Sequence, residues 1–275
     1  MGAGVDGVLE FPGIGNMADW DWLWWVALAA LIWAVGVIVN RSRVRHHDGT
    51  GDPSAGIVVF VEPIRWLFVI WGFARFCRGL RRAGQRHRVY LFRWCSIAGA
   101  LLVFPDLVCR DRLQRRARRL ARRIDKLSAS YPGQPLHLVG YSSGCYIALE
   151  ACRCVRSPRS IGKVILLGGS VSPRYDWNGL EGRLSEVHSF HSHVDMITGL
   201  GPLLFGSNDR RWGLACGTVG FKSALPCLTQ RGWRLADVWL GYFGDHFTLT
   251  APRFVARHIA PIIDSAFRMT CGASL

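Results

Sequence analysis

The chain has 275 residues, a formal net charge of +15, a pI near 10.1 and a hydrophobic share of 50%. That length suits one large α/β domain plus an appendage with a sizeable core, and the basic balance points to an anionic partner: lipid headgroups, nucleic acid or an acidic substrate. The nine cysteines show no repeated CxxC spacing, which excludes a disulfide framework and a zinc site; they read as small buried hydrophobes in a reducing compartment.

Residues 1–21 form an acidic segment with Asp6, Glu10, Asp19 and Asp21 and no Lys or Arg. Trp22 to Val39 carry no charge, which predicts a transmembrane helix over 22–40. Trp20, Trp22, Trp24 and Trp25 sit at its start, where amphipathic rings favour the membrane interface. Arg41, Arg43 and Arg45 follow it, which places that flank and the rest of the chain on the cytoplasmic side. A signal peptide would want a basic start and a shorter apolar run. The hydrophilic stretch 41–55 reads as a linker.

From Gly56 onward, apolar strands alternate with helices. The strands are expected at Gly56–Val61, His87–Arg93, Leu136–Gly140, Lys163–Gly168, Glu186–His191 and Val238–Tyr242. The helices are expected at Trp66–Ala83, Asp111–Ser128, Ser143–Val155 and Pro252–Met269. That order implies an α/β class, with a mostly parallel sheet covered by helices on both faces over 56–275.

The helix 111–128 carries Leu113, Ala117, Leu120, Ile124 and Leu127 on one face. Arg112, Arg115, Arg116, Arg118, Arg119, Arg122 and Arg123 lie on the other. The basic face is either a solvated surface or a contact with anionic lipid, through Arg112, Arg115, Arg116, Arg119, Arg122 and Arg123. No aromatic interleaving accompanies it, so no nucleic acid is expected.

The segment LHLVGYSSGCYIALEA contains Gly140-Tyr141-Ser142-Ser143-Gly144, an apolar strand running through a G-x-S-x-G turn into a helix. Such a turn lifts a serine hydroxyl above the sheet edge, and its tight packing requires glycine two residues either side. Ser142 sits centrally between the glycines and is the candidate nucleophile; Ser143 competes less well. A serine needs a base to take its proton. His246, in GYFGDHF between the last strand and the last helix, is the candidate. His258 falls within the terminal helix and reads as a surface residue. His188, His191 and His193 lie close together without a carboxylate or cysteine pattern, so no metal site is expected. Asp195, after a strand in VHSFHSHVDMI, is the candidate acid, with Asp176 in SPRYDW as the alternative. Asp245 adjoins His246 too closely to align with it.

With these segments in the order Ser, acid, His, the chain resembles the α/β-hydrolase superfamily and, within it, bacterial lipase- and esterase-like members. The resemblance runs from about Gly56 to the C-terminus and rests on LHLVGYSSG, SFHSHVD and GDHF. It implies an eight-stranded-type core or a trimmed version of it, no cofactor, and a Ser142–Asp195–His246 triad acting on an acyl ester. Family members usually carry His-Gly after the first core strand, where a backbone N–H helps build the oxyanion hole. Here Glu62-Pro63 stands in that place, and proline has no N–H to give. The expected donors are therefore the N–H groups of Ile64 and Ser143. A hydrolase-fold binding module without turnover and an acyltransferase using the same triad are the rival readings.

Overall fold

The computed structural model describes residues 21–96, 109–157, 161–223 and 225–264. The acidic segment before Asp21 and the far end of the last predicted helix, 265 to Met269, lie outside the described residues. The chain divides into two compact units, Met1–Asn40 and Arg41–Leu275.

Helix α1 (Asp21–His47) starts in the first unit and ends in the second. It is long and apolar enough to cross a membrane, with a mean hydropathy of 2.2 in its apolar window. At 1.5 Å per residue its 27 residues span about 40 Å. The stretch 41–55, read from sequence as a linker, is helical as far as His47 and enters a strand at Asp52.

The second unit is built on β1 (Asp52–Val61), β2 (His87–Phe92), β3 (Leu136–Tyr141), β4 (Ile161–Leu167), β5 (Val187–His191) and β6 (Leu228–Gly232). They form one six-stranded sheet in the order β2-β1-β3-β4-β5-β6, and every pairing is parallel. The connecting helices are α2 (Phe73–Arg82), α3 (Arg110–Ser130), α4 (Ser143–Cys154), α5 (Met196–Phe205) and the short α6 (Cys216–Val219). The final helix, α7, opens at Pro252–Phe254, passes through a π-helical turn at Val255–Ile259 and continues over Ala260–Asp264.

Alternate residues of the central strands feed two cores, one on each face. Ile57, Val59, Val61, Leu136, Leu138, Val164 and Leu166 pack under α3 and α4. Val58, Phe60, Val139, Tyr141, Ile165 and Leu167 pack under α2 and α7. Burial on both sides is why these strands read as unbroken apolar runs. Each such side chain contributes about 1.5–3 kcal/mol through burial. The strand order reverses between β1 and β3. Open sheets of this kind bind ligands in the crevice beyond the carboxyl ends of the strands at that reversal.

Three expectations are corrected. The helix predicted over Trp66–Ala83 is only Phe73–Arg82. Before it, Trp66–Val69 forms a turn in which Leu67 and Phe68 take φ of 49° and 63°, and Gly72 takes 79°. Trp66 and Leu67 stand 47% and 41% exposed on that turn, so the apolar run in the sequence joins an exposed turn to a helix that buries Phe73, Phe76 and Leu80. The strand predicted at Val238–Tyr242 is a 3-10 helix at Leu235–Leu240. There Asp237 accepts the N–H of Arg234 at 2.9 Å and pairs with Arg231 at 2.7 Å, so side-chain capping overrides strand propensity. The sixth strand is instead Leu228–Gly232, whose sequence LTQRG is too polar and exposed to signal a strand.

The arginine face of α3 is also not uniformly solvated. Arg119 stacks over the Phe92 ring at 5.1 Å and donates to the carbonyl of Arg93, and Arg123 stacks over Tyr90 at 5.4 Å. Arg115, Arg118 and Arg122 are exposed without such a stack, Arg119 and Arg123 are exposed beyond theirs, and Arg112 and Arg116 are half-buried.

Candidate active site

Ser142 follows β3 directly and precedes α4. Its backbone adopts φ 56° and ψ −124°, a region that costs a non-glycine residue about 1–3 kcal/mol. The surroundings hold it there. Its N–H donates to the Leu167 carbonyl at 2.8 Å, and its own carbonyl accepts the Cys145 N–H at 3.0 Å. A Cβ on Gly144 would stand 2.5 Å from the Val61 carbonyl oxygen, and one on Gly140 would stand 2.7 Å from the Cys145 Cα. Neither position admits a side chain. This is a strained strand-to-helix elbow at the reversal point of a doubly wound parallel sheet.

The chain has the α/β-hydrolase fold. No protein-family model matches it, and no curated protein matches it. Among solved structures it is similar to an α/β serine hydrolase without a lid from Xanthomonas campestris, at 15% identity over 78% of this chain and 85% of that one, with a TM-score of 0.48. A Trichoderma reesei cutinase in complex with a phosphonate inhibitor matches at 15% identity over 92% of this chain and 94% of that one, with a TM-score of 0.45. A Bacillus licheniformis lipase in mature form matches at 14% identity, 78% and 95% coverage, and a TM-score of 0.45. The assignment rests on the sheet order and the elbow, and extends to the fold.

Asp195 follows β5 and is buried. Its Oδ1 accepts the N–H groups of Ile197 at 3.0 Å and Thr198 at 3.1 Å, capping α5. Its Oδ2 lies 2.7 Å from His246 Nδ1. One carboxylate therefore fixes both the imidazole and the start of an apolar helix.

His246 is buried on the loop before α7. Its ring stacks on Tyr141 with centroids 5.2 Å apart, and the Tyr141 hydroxyl donates to its backbone carbonyl. The adjacent Asp245 turns its carboxylate onto the N–H groups of Phe247 at 2.8 Å and Thr248 at 3.0 Å, shaping the loop. A Cβ on Gly168, just past β4, would stand 3.4 Å from both Asp195 Oδ2 and His246 Cε1. The pair thus reaches the ends of β3 and β4, where the elbow lies. Asp176, the alternative acid, is exposed and caps the Asn178 N–H at 3.0 Å. His188 pairs with Glu186 at 2.6 Å, and among the described residues no cluster of His, Cys, Asp or Glu could hold a metal. His258 is half-buried beside Phe254, with its Nε2 3.6 Å from Asp237, not a free surface residue.

The segment after β1 is pinned on both sides of Ile64. Glu62 is buried, and its Oε1 accepts the Trp94 N–H at 3.0 Å and the Cys95 N–H at 3.3 Å and pairs with Arg65 at 3.0 Å. Burial raises the Glu62 pKa, while Arg65 and the two N–H groups pull it back. The Cys95 thiol accepts the Arg65 N–H at 3.1 Å and contacts the Pro63 carbonyl at 3.6 Å. Ser143 is the first residue of α4, and the first N–H groups of a helix have no partner within it. Because Gly144 abuts the Val61 and Glu62 carbonyls, Ser143 and the Glu62–Ile64 segment share one corner.

One neighbour of the serine was not legible in the sequence. Ser170 lies past β4 with its Oγ 3.4 Å from Ser142 Oγ. The Gly- and Leu-rich stretch 197–220, between acid and base, reads from the sequence as a candidate cap over an apolar acyl pocket; at its start α5 presents an apolar surface, where Met196 is 62% and Leu204 65% exposed, alongside Ile197, Leu200, Leu203 and Phe205. For Ser170, the Gly-Gly-Ser after β4 was the available signal, and it reads equally well as an ordinary loop.

Proposed function

We propose that the chain is a membrane-anchored serine hydrolase that cleaves a carboxylic ester of a lipid or similar acyl compound. The observation that carries this reading is the Asp195–His246 pair at 2.7 Å, standing at the strand ends beside the strained Ser142 elbow. In the reaction, His246 Nε2 takes the Ser142 proton as Oγ attacks the ester carbonyl. Asp195 holds the Nδ1–H tautomer and stabilises the imidazolium. The N–H groups of Ser143 and Ile64 receive the oxyanion. The imidazolium gives its proton to the departing alcohol, and water repeats the sequence to release the acid. The exposed apolar face of α5, which starts at the residue that orients the base, supports an apolar acyl substrate presented at a lipid surface. The apolar α1 supports the anchor, with its Arg41, Arg43 and Arg45 flank in the cytoplasm. The exposed arginines of α3 support contact with anionic headgroups.

The test is a fluorophosphonate probe on the purified chain. Labelling is expected for the wild type and lost in Ser142→Ala and His246→Ala. Equal labelling of Ser142→Ala refutes the assignment. The rival without turnover draws on Pro63, which removes the usual oxyanion donor; ester hydrolysis abolished by His246→Ala excludes it.

A further inference from the structure

We propose that Ser170 is a second catalytic hydroxyl, which donates a hydrogen bond to Ser142 Oγ and stabilises the charge on that oxygen during attack and expulsion. The proposal rests on the reading of Ser142 as nucleophile and adds a residue that the triad does not include.

The chain brings Ser170 to this position by a route that only two glycines allow. After β4, Gly168 takes φ 52°, and a Cβ on Gly169 would stand 2.9 Å from Cys216 Sγ and 3.3 Å from Cys145 Cβ. Gly169 is held from its far side by the Gly217 N–H, which donates to its carbonyl at 2.9 Å. Ser170 then meets Ser142 twice. Its N–H donates to the Ser142 carbonyl at 3.3 Å, and its Oγ lies 3.4 Å from Ser142 Oγ. Its own carbonyl accepts the N–H of the buried Asn208 at 2.9 Å, so the residue is tied on both sides of its side chain. A backbone tethered this way spends little entropy in presenting its hydroxyl.

The direction of donation follows from the proton balance. Ser142 gives its only proton to His246 as the Oγ–acyl bond forms and the bond to the leaving alcohol breaks. With that proton gone, Ser142 Oγ can only accept, and Ser170 supplies the donor. In the second half, water bonds to the acyl carbon, the bond to Oγ breaks, and His246 returns a proton to Oγ. Ser170 again donates to the oxygen as it departs and keeps its own proton throughout. A spacing of 3.4 Å is long for an O–H···O bond at rest, but it shortens as charge builds on the acceptor, as catalytic hydrogen bonds do. Ser170 is not itself the nucleophile, since the strained backbone belongs to Ser142.

The experiment compares the full chain with Ser170→Ala and Ser170→Thr, by the rate of fluorophosphonate labelling at Ser142 and by turnover of a short p-nitrophenyl ester. Ser170→Ala is expected to lower the labelling rate and kcat by about tenfold or more, in the range for losing a hydrogen bond to a charged group, with KM and melting temperature unchanged. Ser170→Thr, which keeps the hydroxyl, restores most of the rate. Wild-type labelling matched by Ser170→Ala overturns the proposal and leaves Ser142 as nucleophile. A threonine variant as slow as the alanine variant, with both melting early, also overturns it, because the residue is then structural. Failure of the wild type to label at Ser142 removes the nucleophile reading and this proposal together.

Discussion

The ring of Tyr141 stacks on the imidazole of His246 at 5.2 Å, and its hydroxyl donates to the His246 carbonyl, 105 residues further along the chain. The residue immediately before the elbow thus holds the loop that carries the base. Tyr141→Phe keeps the stack and removes the donor, leaving a buried carbonyl unpaired. The expected result is a loss of about 1–3 kcal/mol in stability and a lower kcat at unchanged KM. Thermal melting and ester turnover measure the two separately.

Asp195→Asn and Asp195→Ala separate the two duties of one carboxylate. Asparagine caps a helix about as well as aspartate, so α5 keeps its start, while the tautomer and charge behind His246 are lost. Asp195→Asn is expected to lower kcat about 10⁴-fold with stability nearly unchanged. Asp195→Ala is expected to lose a similar rate and a further 1 kcal/mol or so from the missing cap. A stable Asn variant with full turnover would remove Asp195 from the mechanism.

His137 on β3 is buried 5.8 Å from the His87 ring, and burial, with the nearby charges of His87 and Lys163, pushes its pKa down to about 3. Folded His137 therefore stays neutral while the unfolded chain takes up a proton below its ordinary value of 6.5. Between those two values the unfolded state binds more protons. Stability is complete above pH 6.5 and falls as pH drops toward 3, by up to about 1.4 kcal/mol per pH unit for this one group. His137→Leu is expected to flatten that slope in melting measured from pH 4 to 7.

Glu62 ties β1 to the end of β2 through Trp94, Cys95 and Arg65. Glu62→Ala strands the Arg65 charge, the buried Trp94 N–H and the half-buried Cys95 N–H. The expected loss is about 3–5 kcal/mol, measured by thermal or denaturant unfolding, because breaking a buried pair costs more than the pair contributes. Glu62→Gln, which still accepts one N–H, is expected to lose less.

The arginines of α3 divide by their neighbours. Arg119→Ala removes a stack on Phe92 and is expected to cost about 0.5–2 kcal/mol in stability. Arg115→Glu with Arg122→Glu touches exposed positions and is expected to leave stability unchanged. It should weaken binding of the detergent-solubilised chain to vesicles rich in anionic lipid, by about 1 kcal/mol for each charge removed and more for reversal. Equal binding to neutral and anionic vesicles would remove this surface from the account.

Much of the architecture was readable in the sequence because it is encoded locally. Glycine two residues on either side of Ser142 reports a turn with no room for side chains, and the parallel strands announce themselves as continuous apolar runs. Chain order, with their places between predicted elements, picked out Asp195 and His246 as candidates and left Asp176 as the alternative acid. Other features depend on contacts between distant segments. Leu235–Leu240 coils because Asp237 reaches back to Arg234 and Arg231. The approach of Ser170 to Ser142, and the grip of Tyr141 on the His246 loop, arise only when β3 and β4 lie side by side and a loop from near the chain's end folds over them. Sequence patterns report which way a residue faces along its own element. The packing of one element on another decides which polar groups meet, and in this protein that packing sets the surroundings of the serine hydroxyl.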